Sequence, residues 1–179
     1  EFIAHIKQNP GKVTIGNSGM GSVTHLVPTL VASKIGAPII HVPFGTGLAV
    51  AALMGGKIDA SSQLPAEILS QIRAGEVRVL AMSGEKRSSL WPDVPTMKES
   101  GVDVGYSMWR GFAAPKGTPK AVVDKMSAHV KKAVESKEWI EFTASVGTTP
   151  QYFDPEAFVK LAADMDKVTR EVITAAGLK

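Results

Sequence analysis

Gly16-Asn17-Ser18-Gly19-Met20-Gly21-Ser22-Val23-Thr24-His25 is a glycine-rich turn set between a strand and a helix. Before it, Val13-Thr14-Ile15 is a short apolar run of the kind that forms a buried strand; after it, Val23, Leu26, Val27, Leu30 and Val31 recur at helical spacing. Such a turn presents backbone N–H groups at the start of a helix. The first amides there lack intrahelical partners, and the helix dipole adds partial positive charge. Phosphates and carboxylates dock at such places. Ser22 is suited to cap the helix, and Asn17 and Ser18 add side-chain donors beside it. A capped structural turn has the same composition, so the rest of the chain must decide between the two readings.

Strands and helices alternate outward from this turn. An opening helix carries Phe2, Ile3 and Ile6 on one face and stops at Asn9-Pro10-Gly11. Pro38 to Val42 is read as a second strand, Leu48 to Met54 as a helix, Lys57 to Ser62 as a third strand, and Val77 to Met82 as a fourth. Pro65 opens the intervening helix, which is expected to bury Ile68, Leu69 and Ile72 and to stop at Gly75. Regular alternation predicts an α/β fold with a parallel sheet and helices on both faces. Ligands of such sheets bind beyond the carboxyl ends of the strands. The turns at 16–22, Phe44-Gly45-Thr46-Gly47 and Ser62-Gln63-Leu64 share that edge. One residue disagrees locally: Pro28 falls inside the first long helix and predicts a kink or a late start.

Beyond Gly84 the organisation changes. Thr96-x-x-Glu99 is a capping-box pattern and predicts a short helix that stops at Gly101. Tyr106 to Ala114 reads as a long strand. Thr118 is expected to cap a helix with Pro119 in its first position, burying Val122, Met126, Val130 and Val134. A short helix with Trp139, Ile140 and Phe142 follows, then a strand within Thr148 to Phe153. A last amphipathic helix runs from Asp154-Pro155 through Phe158, Leu161, Met165, Val168 and Val172 to near Gly177. The methionines are read as core filler.

Composition narrows the chemistry. At 179 residues, 44% hydrophobic and 21% charged, the chain can bury a real core. A net charge of +3, with dispersed basic residues, does not suggest nucleic acid. With no cysteine there is neither disulfide nor thiolate. The chain opens inside a helix, without Met or a visible signal peptide, which suggests a fragment or a processed chain. The turn has the glycine spacing of a P-loop, but the required Lys is absent. It lacks the third glycine of a dinucleotide fingerprint, and Met20 breaks a nucleophile elbow. His5, His25, His41 and His129 form no metal spacing, and no cofactor motif is present. His25, in the first helical turn, is the one histidine placed to meet a ligand. Asp59 is read as a turn or capping partner, and Arg110 as a surface residue. No nucleophile–base set or carboxylate pair emerges, so the sequence offers no catalytic constellation.

Taken in order, several segments resemble the Bug family, the TctC-like substrate receptors of tripartite tricarboxylate transporters. They are Asn9-Pro10-Gly11-Lys12, Ile15 to Ser22 with His25-Leu26, His41-Val42-Pro43-Phe44, Leu53 to Asp59, Ala74 to Ala81, Pro92 to Gly101, and Trp109 to Pro119. The resemblance implies a fold of the type II periplasmic-binding-protein kind, closing without catalysis on a small carboxylate: a di- or tricarboxylate, an aromatic acid or an acidic amino acid. It implies a periplasmic location and transporter subunits in the membrane as partners. It places ligand contacts on Asn17, Ser18, Gly19, Gly21, Ser22 and, more weakly, His25. Phe44, Gly45, Thr46, Ser62 and Gln63 join them by the sheet-edge argument. Family members often carry Ser at position 17 and Tyr at position 44, so Asn17 and Phe44 mark a ligand preference of this chain's own.

The resemblance covers the family's later portion. It implies one α/β lobe over residues 1–105, and over 106–179 a crossover strand and helices that belong to the other lobe. The expectation is a truncated receptor with half a cleft, or a homo-oligomer in which a second chain supplies the missing lobe. Two rivals remain: a receptor-derived oligomeric interaction protein without solute transport, and a hydrolase that uses the turn as an oxyanion hole with His25 as base.

Overall fold

The computed structural model describes all residues except Ala176, Leu178 and Lys179. Three short strands, β1 (Thr14–Asn17), β2 (Ile40–Pro43) and β3 (Ala60–Ser61), form a parallel sheet in the order β2-β1-β3. The register sets Ile15 opposite both His41 and Ala60. Three helices alternate with the strands: α1 (Phe2–Gln8) before β1, α2 (Val23–Ile35) between β1 and β2, and α3 (Leu48–Met54) between β2 and β3. Helix α4 (Pro65–Arg73) follows β3; it buries no residue, and Ile68, Leu69 and Ile72 are half-buried rather than in the core. After a long irregular stretch come α5 (Lys120–Val134), α6 (Lys137–Ser145) and α7 (Pro155–Ala175).

The core lies between the sheet and the helices α1 and α2. Ile6, Val13, Ile15 and Ala37 are buried together, with Phe2, Ile3 and Ile39 packed around them. Val31 joins Val102 and Val104, which come from the loop after the capping box. On the opposite side α3 lies close against β1: a Cβ on Gly16 would meet Ile58 Cδ1 at 2.5 Å and Ala49 Cβ at 3.0 Å. Only a residue without a side chain lets the strand and helix approach this closely. Asp59 is structural, but as a tie to β1 rather than as a turn or helix-capping partner: its Oδ2 accepts from the Thr14 amide at 2.8 Å and from the Thr14 hydroxyl at 2.6 Å.

Several expectations change in the folded chain. Helix α2 does not start late: Ser22 caps it, and it runs unbroken through the buried Pro28. The Thr29 hydroxyl donates to the His25 carbonyl at 2.8 Å, an extra bond in the turn that the proline loosens. The fourth strand does not form. Met82 makes one parallel bridge to Thr96, and Tyr106 N–H bonds to the Ser83 carbonyl at 2.8 Å, so this stretch pairs with the loop rather than with the sheet. Thr96 and Glu99 do form their reciprocal capping bonds (2.7 and 3.1 Å), but they close a turn and no helix follows. Thr118 does not cap α5. Its hydroxyl donates back to the Pro115 carbonyl at 2.8 Å, and Pro119 takes the cap position.

The expected strands at 106–114 and 148–153 are also absent among the described residues. Ser107 to Pro115 has no regular secondary structure and is exposed, with no ladder partner there. The apolar face of α5 is open: Val122 and Met126 are about half exposed, and α5 has no buried residue. Trp139, Ile140 and Phe142 are exposed as well. Four methionines (Met20, Met54, Met108 and Met126) are exposed rather than core filler. Only the second half of α7 reaches the core, where Val172 is buried with Leu26, Val27 and Tyr106.

Candidate functional site at the carboxyl edge of the sheet

Each strand ends at the glycine-rich turn or beside it. The Phe44 amide donates to the Asn17 carbonyl at 2.9 Å, and the Ser62 amide to the Gly16 carbonyl at 2.9 Å. Parallel pairing therefore brings the three expected segments to one edge, with Asn17 between Phe44 and Ser62. The Phe44 ring is half-buried and packs beneath Gly16, with Cε2 3.4 Å from where a Cβ would stand. Gly45 and Thr46 are exposed beyond it, and Ser62 and Gln63 are half-buried.

The turn is tied largely to itself. Asn17 Oδ1 accepts from the Gly19 amide at 3.0 Å. The Ser18 amide donates to Thr24 Oγ1 at 2.9 Å, and the Gly21 amide to His25 Nδ1 at 3.2 Å. Ser22 donates its hydroxyl to the Gly19 carbonyl at 2.7 Å, so in the 2.8 Å contact with Thr24 it is the threonine that donates. Gly19 holds φ +126°, a conformation that side-chain-bearing residues rarely adopt, and this lets the loop fold back over Asn17. Donors that remain unclaimed among the described residues are the amides of Met20, Val23 and Thr24 and the Asn17 side-chain nitrogen. Asn17 is fully buried, and its Nδ2 has no partner. A buried amide N–H without a partner is costly, so this atom marks a place where a polar group belongs.

His25 is buried behind the turn. Because Nδ1 accepts from Gly21, the neutral ring carries its proton on Nε2. Its edge meets the His41 ring, with centroids 4.5 Å apart. Burial holds the His25 pKa below its ordinary value of 6.5. Burial, and then the charge His25 would carry, do the same for His41. Thr29 gives its proton to the His25 carbonyl, so its 3.3 Å contact with His41 Nε2 makes the imidazole the donor. That leaves His41 Nδ1 buried and unpartnered. The pair braces α2 against β2 from inside.

One contact at the site was not expected from the sequence. The Ser18 hydroxyl donates to Glu67 Oε2 at 3.2 Å, which links the turn to the first turn of α4. Glu67 reads as a favourable acidic residue near a helix start, and nothing in its local sequence ties it to Ser18. Gln63 lies just upstream: its Nε2 donates to Ser61 Oγ at 3.0 Å, and its Oε1 is buried without a partner. A shallow groove of about 490 Å³ runs along the second half of α2 past His41. It contains none of the turn residues, so size alone does not locate the site. Among the described residues no cluster of His, Asp and Glu is arranged to hold a metal.

Comparison with known proteins decides the family. The profile of the tripartite tricarboxylate transporter family receptor, TctC, matches residues 1–178. The chain belongs to this family. It is 34% identical over 179 residues to the UPF0065 protein in the gbd 5′ region of Cupriavidus necator, covering 99% of this chain and 54% of that one. It is also 34% identical to BugT of Bordetella pertussis, covering 99% of this chain and 55% of BugT. Among solved structures it is similar to a TctC solute-binding protein from Polaromonas, with a TM-score of 0.82 and 32% identity over 98% of this chain and 60% of that one. It also matches a protein from R. palustris solved with adipate, at a TM-score of 0.79 and 25% identity over 98% of this chain and 60% of that one. MatC from Rhodopseudomonas palustris, solved with bound malate, matches at a TM-score of 0.70 and 26% identity over 97% and 60%. The α/β, periplasmic-binding-protein-like architecture of these receptors is thus that of this TctC-family chain. The chain spans about half the length of the sequence relatives it matches.

Proposed function

We propose that this chain is part of a periplasmic receptor that captures a small carboxylate at the carboxyl edge of its sheet. The receptor delivers that solute to a tripartite tricarboxylate-type transporter. The observation that carries the reading is the set of unclaimed donors at the start of α2: the amides of Met20, Val23 and Thr24 and the buried, unpartnered Asn17 Nδ2. They suit a carboxylate, because helix N-terminal amides and a neutral carboxamide bind an anion without a full counter-charge. The adipate and malate held by two structural neighbours support the ligand class. Ser18, Gly19, Gly21, Ser22, Phe44, Gly45, Thr46, Ser62 and Gln63 frame the same edge. On this reading His25 supports the turn from behind, because its Nδ1 is occupied and its ring is buried. The occupied Nδ1 favours this supporting role over that of a hydrolase's base. Residues 1–105 form the ligand-bearing lobe, and 106–179 return to a second lobe that completes the cleft. The exposed Met108, Trp109 and Phe112 are the crossover's half of that contact.

Native mass spectrometry of the purified protein tests the proposal. An extra mass matching an organic acid, lost on dilution and regained with malate or adipate, is the expected result. A bare chain that takes up neither these acids nor an amino acid of matching length overturns it. A second reading, an oligomeric interaction protein, draws on the apolar side chains left open on the stretch before α5 and on α5 to α7, with Phe112 84% and Val159 69% exposed. A stable oligomer without ligand response in the same spectrum would favour that reading.

A further inference from the structure

The chemistry around the turn is almost wholly neutral. Asn17, Ser18, Ser22, Thr24 and the free amides carry no charge. The one acidic group that touches the turn is Glu67, whose Oε2 takes the Ser18 hydroxyl proton at 3.2 Å. Glu67 has no basic partner among the described residues, where every ion pair is made by another acid. Four positions earlier, Gln63 Oε1 is a buried acceptor with nothing to accept. The Ser18 amide bonds to Thr24 Oγ1 at 2.9 Å, so the start of α2 and the Ser18–Glu67 pair lie side by side. The site thus has two halves of opposite character. One offers unused donors and suits a carboxylate. The other offers a half-buried carboxylate and an unpaired carbonyl, and suits a donor.

A ligand with a second carboxylate at the Glu67 half meets a like charge, and a Ser18 hydroxyl that has already given its proton away. Like charges held together in a partly dry site repel strongly. A ligand with an ammonium group there gains a charge-assisted hydrogen bond to Glu67. Resting on the receptor reading above, we propose that Glu67 is a specificity residue. It selects a zwitterionic ligand, with its carboxylate on the α2 amides and its ammonium on Glu67, over the dicarboxylate of equal length.

Calorimetric titration with matched pairs, in which an ammonium replaces the second carboxylate at equal chain length, tests this: 4-aminobutyrate against succinate, 5-aminopentanoate against glutarate, and 6-aminohexanoate against adipate. In the best-binding pair the amino acid is expected to bind at least about tenfold more tightly than its partner. Glu67→Gln should bring the two within about threefold of each other, chiefly by strengthening the dicarboxylate. Glu67→Asp, which keeps the charge, should keep the direction of preference, and an unchanged melting curve for either variant shows that the fold is intact. A wild-type protein that prefers the dicarboxylate, or a ratio unmoved in Glu67→Gln, overturns the proposal while leaving the receptor reading in place. Failure of all six acids to bind the wild-type protein overturns the receptor reading, and this proposal with it.

Discussion

Helices α2 and α5 are of similar length, yet α2 buries seven residues and α5 buries none. Helix α2 is buried on most of its sides and sits between the sheet, α7 and the 102–104 loop. Helices α5 and α6 are amphipathic, with their polar faces laced by pairs such as Lys120–Asp124 and Lys137–Glu141. Their apolar faces find little to cover them among the described residues. The difference teaches that an amphipathic pattern states that a face needs a partner and does not supply one. The long irregular stretch between the two regions tells the same story, since Val102, Val104 and Tyr106 are buried against α2 while Met108, Trp109 and Phe112 are not.

Four perturbations probe this contrast. The largest effect is expected from Leu26→Ala, which empties a site 3% exposed and should cost about 2–5 kcal/mol, read as a lower urea midpoint at unchanged slope. A loss below about 1 kcal/mol would mean that the α2 core repacks freely, and the contrast would weaken. Gly16→Ala should follow at about 1–3 kcal/mol, because the new methyl group meets Ile58 and Ala49; a neutral result would show that α3 can retreat from β1.

Acid should also act on the first region. The unfolded chain protonates its histidines near 6.5, whereas folded His25 and His41 resist it, so the unfolded state binds more protons as pH falls below 6.5. Stability from this pair is therefore complete above 6.5 and is lost toward lower pH. Urea midpoints at about pH 7.5 and about pH 5.5 should differ in that direction, and His41→Gln should shrink the difference. Equal slopes in both proteins would remove the buried pair as the cause. The smallest effect is expected from Phe112→Ala, at 84% exposure, within about 0.5 kcal/mol. A cost above about 2 kcal/mol that grows with protein concentration would show that a second copy covers this face.

Much of the first region was legible in residue order. The glycine-rich turn, the Ser22 cap, helix 48–54 and the parallel alternation follow from short-range rules, because a strand–turn–helix unit is decided by neighbours in sequence. The convergence of Asn17, Phe44 and Ser62 was legible too, since parallel strands must end at one edge. The fourth strand and the 106–114 strand were misread for one reason. A β-prone run becomes a strand only where another backbone stands ready to pair, and residue types do not report that. Thr118 failed as a cap because its hydroxyl is spent on the Pro115 carbonyl before the helix begins.

By itself, then, the sequence of this chain determined its family, its alternating α/β core and the turn around which the candidate site is built. Each of these depends on residues close together in the chain. Only the tertiary structure decided that His25 faces inward onto His41, that Asn17 keeps a buried N–H to spare, and that Glu67 reaches Ser18 across 49 positions. The reason is physical. Burial, protonation and hydrogen-bond satisfaction depend on every group packed around an atom, and those neighbours come from distant parts of the chain.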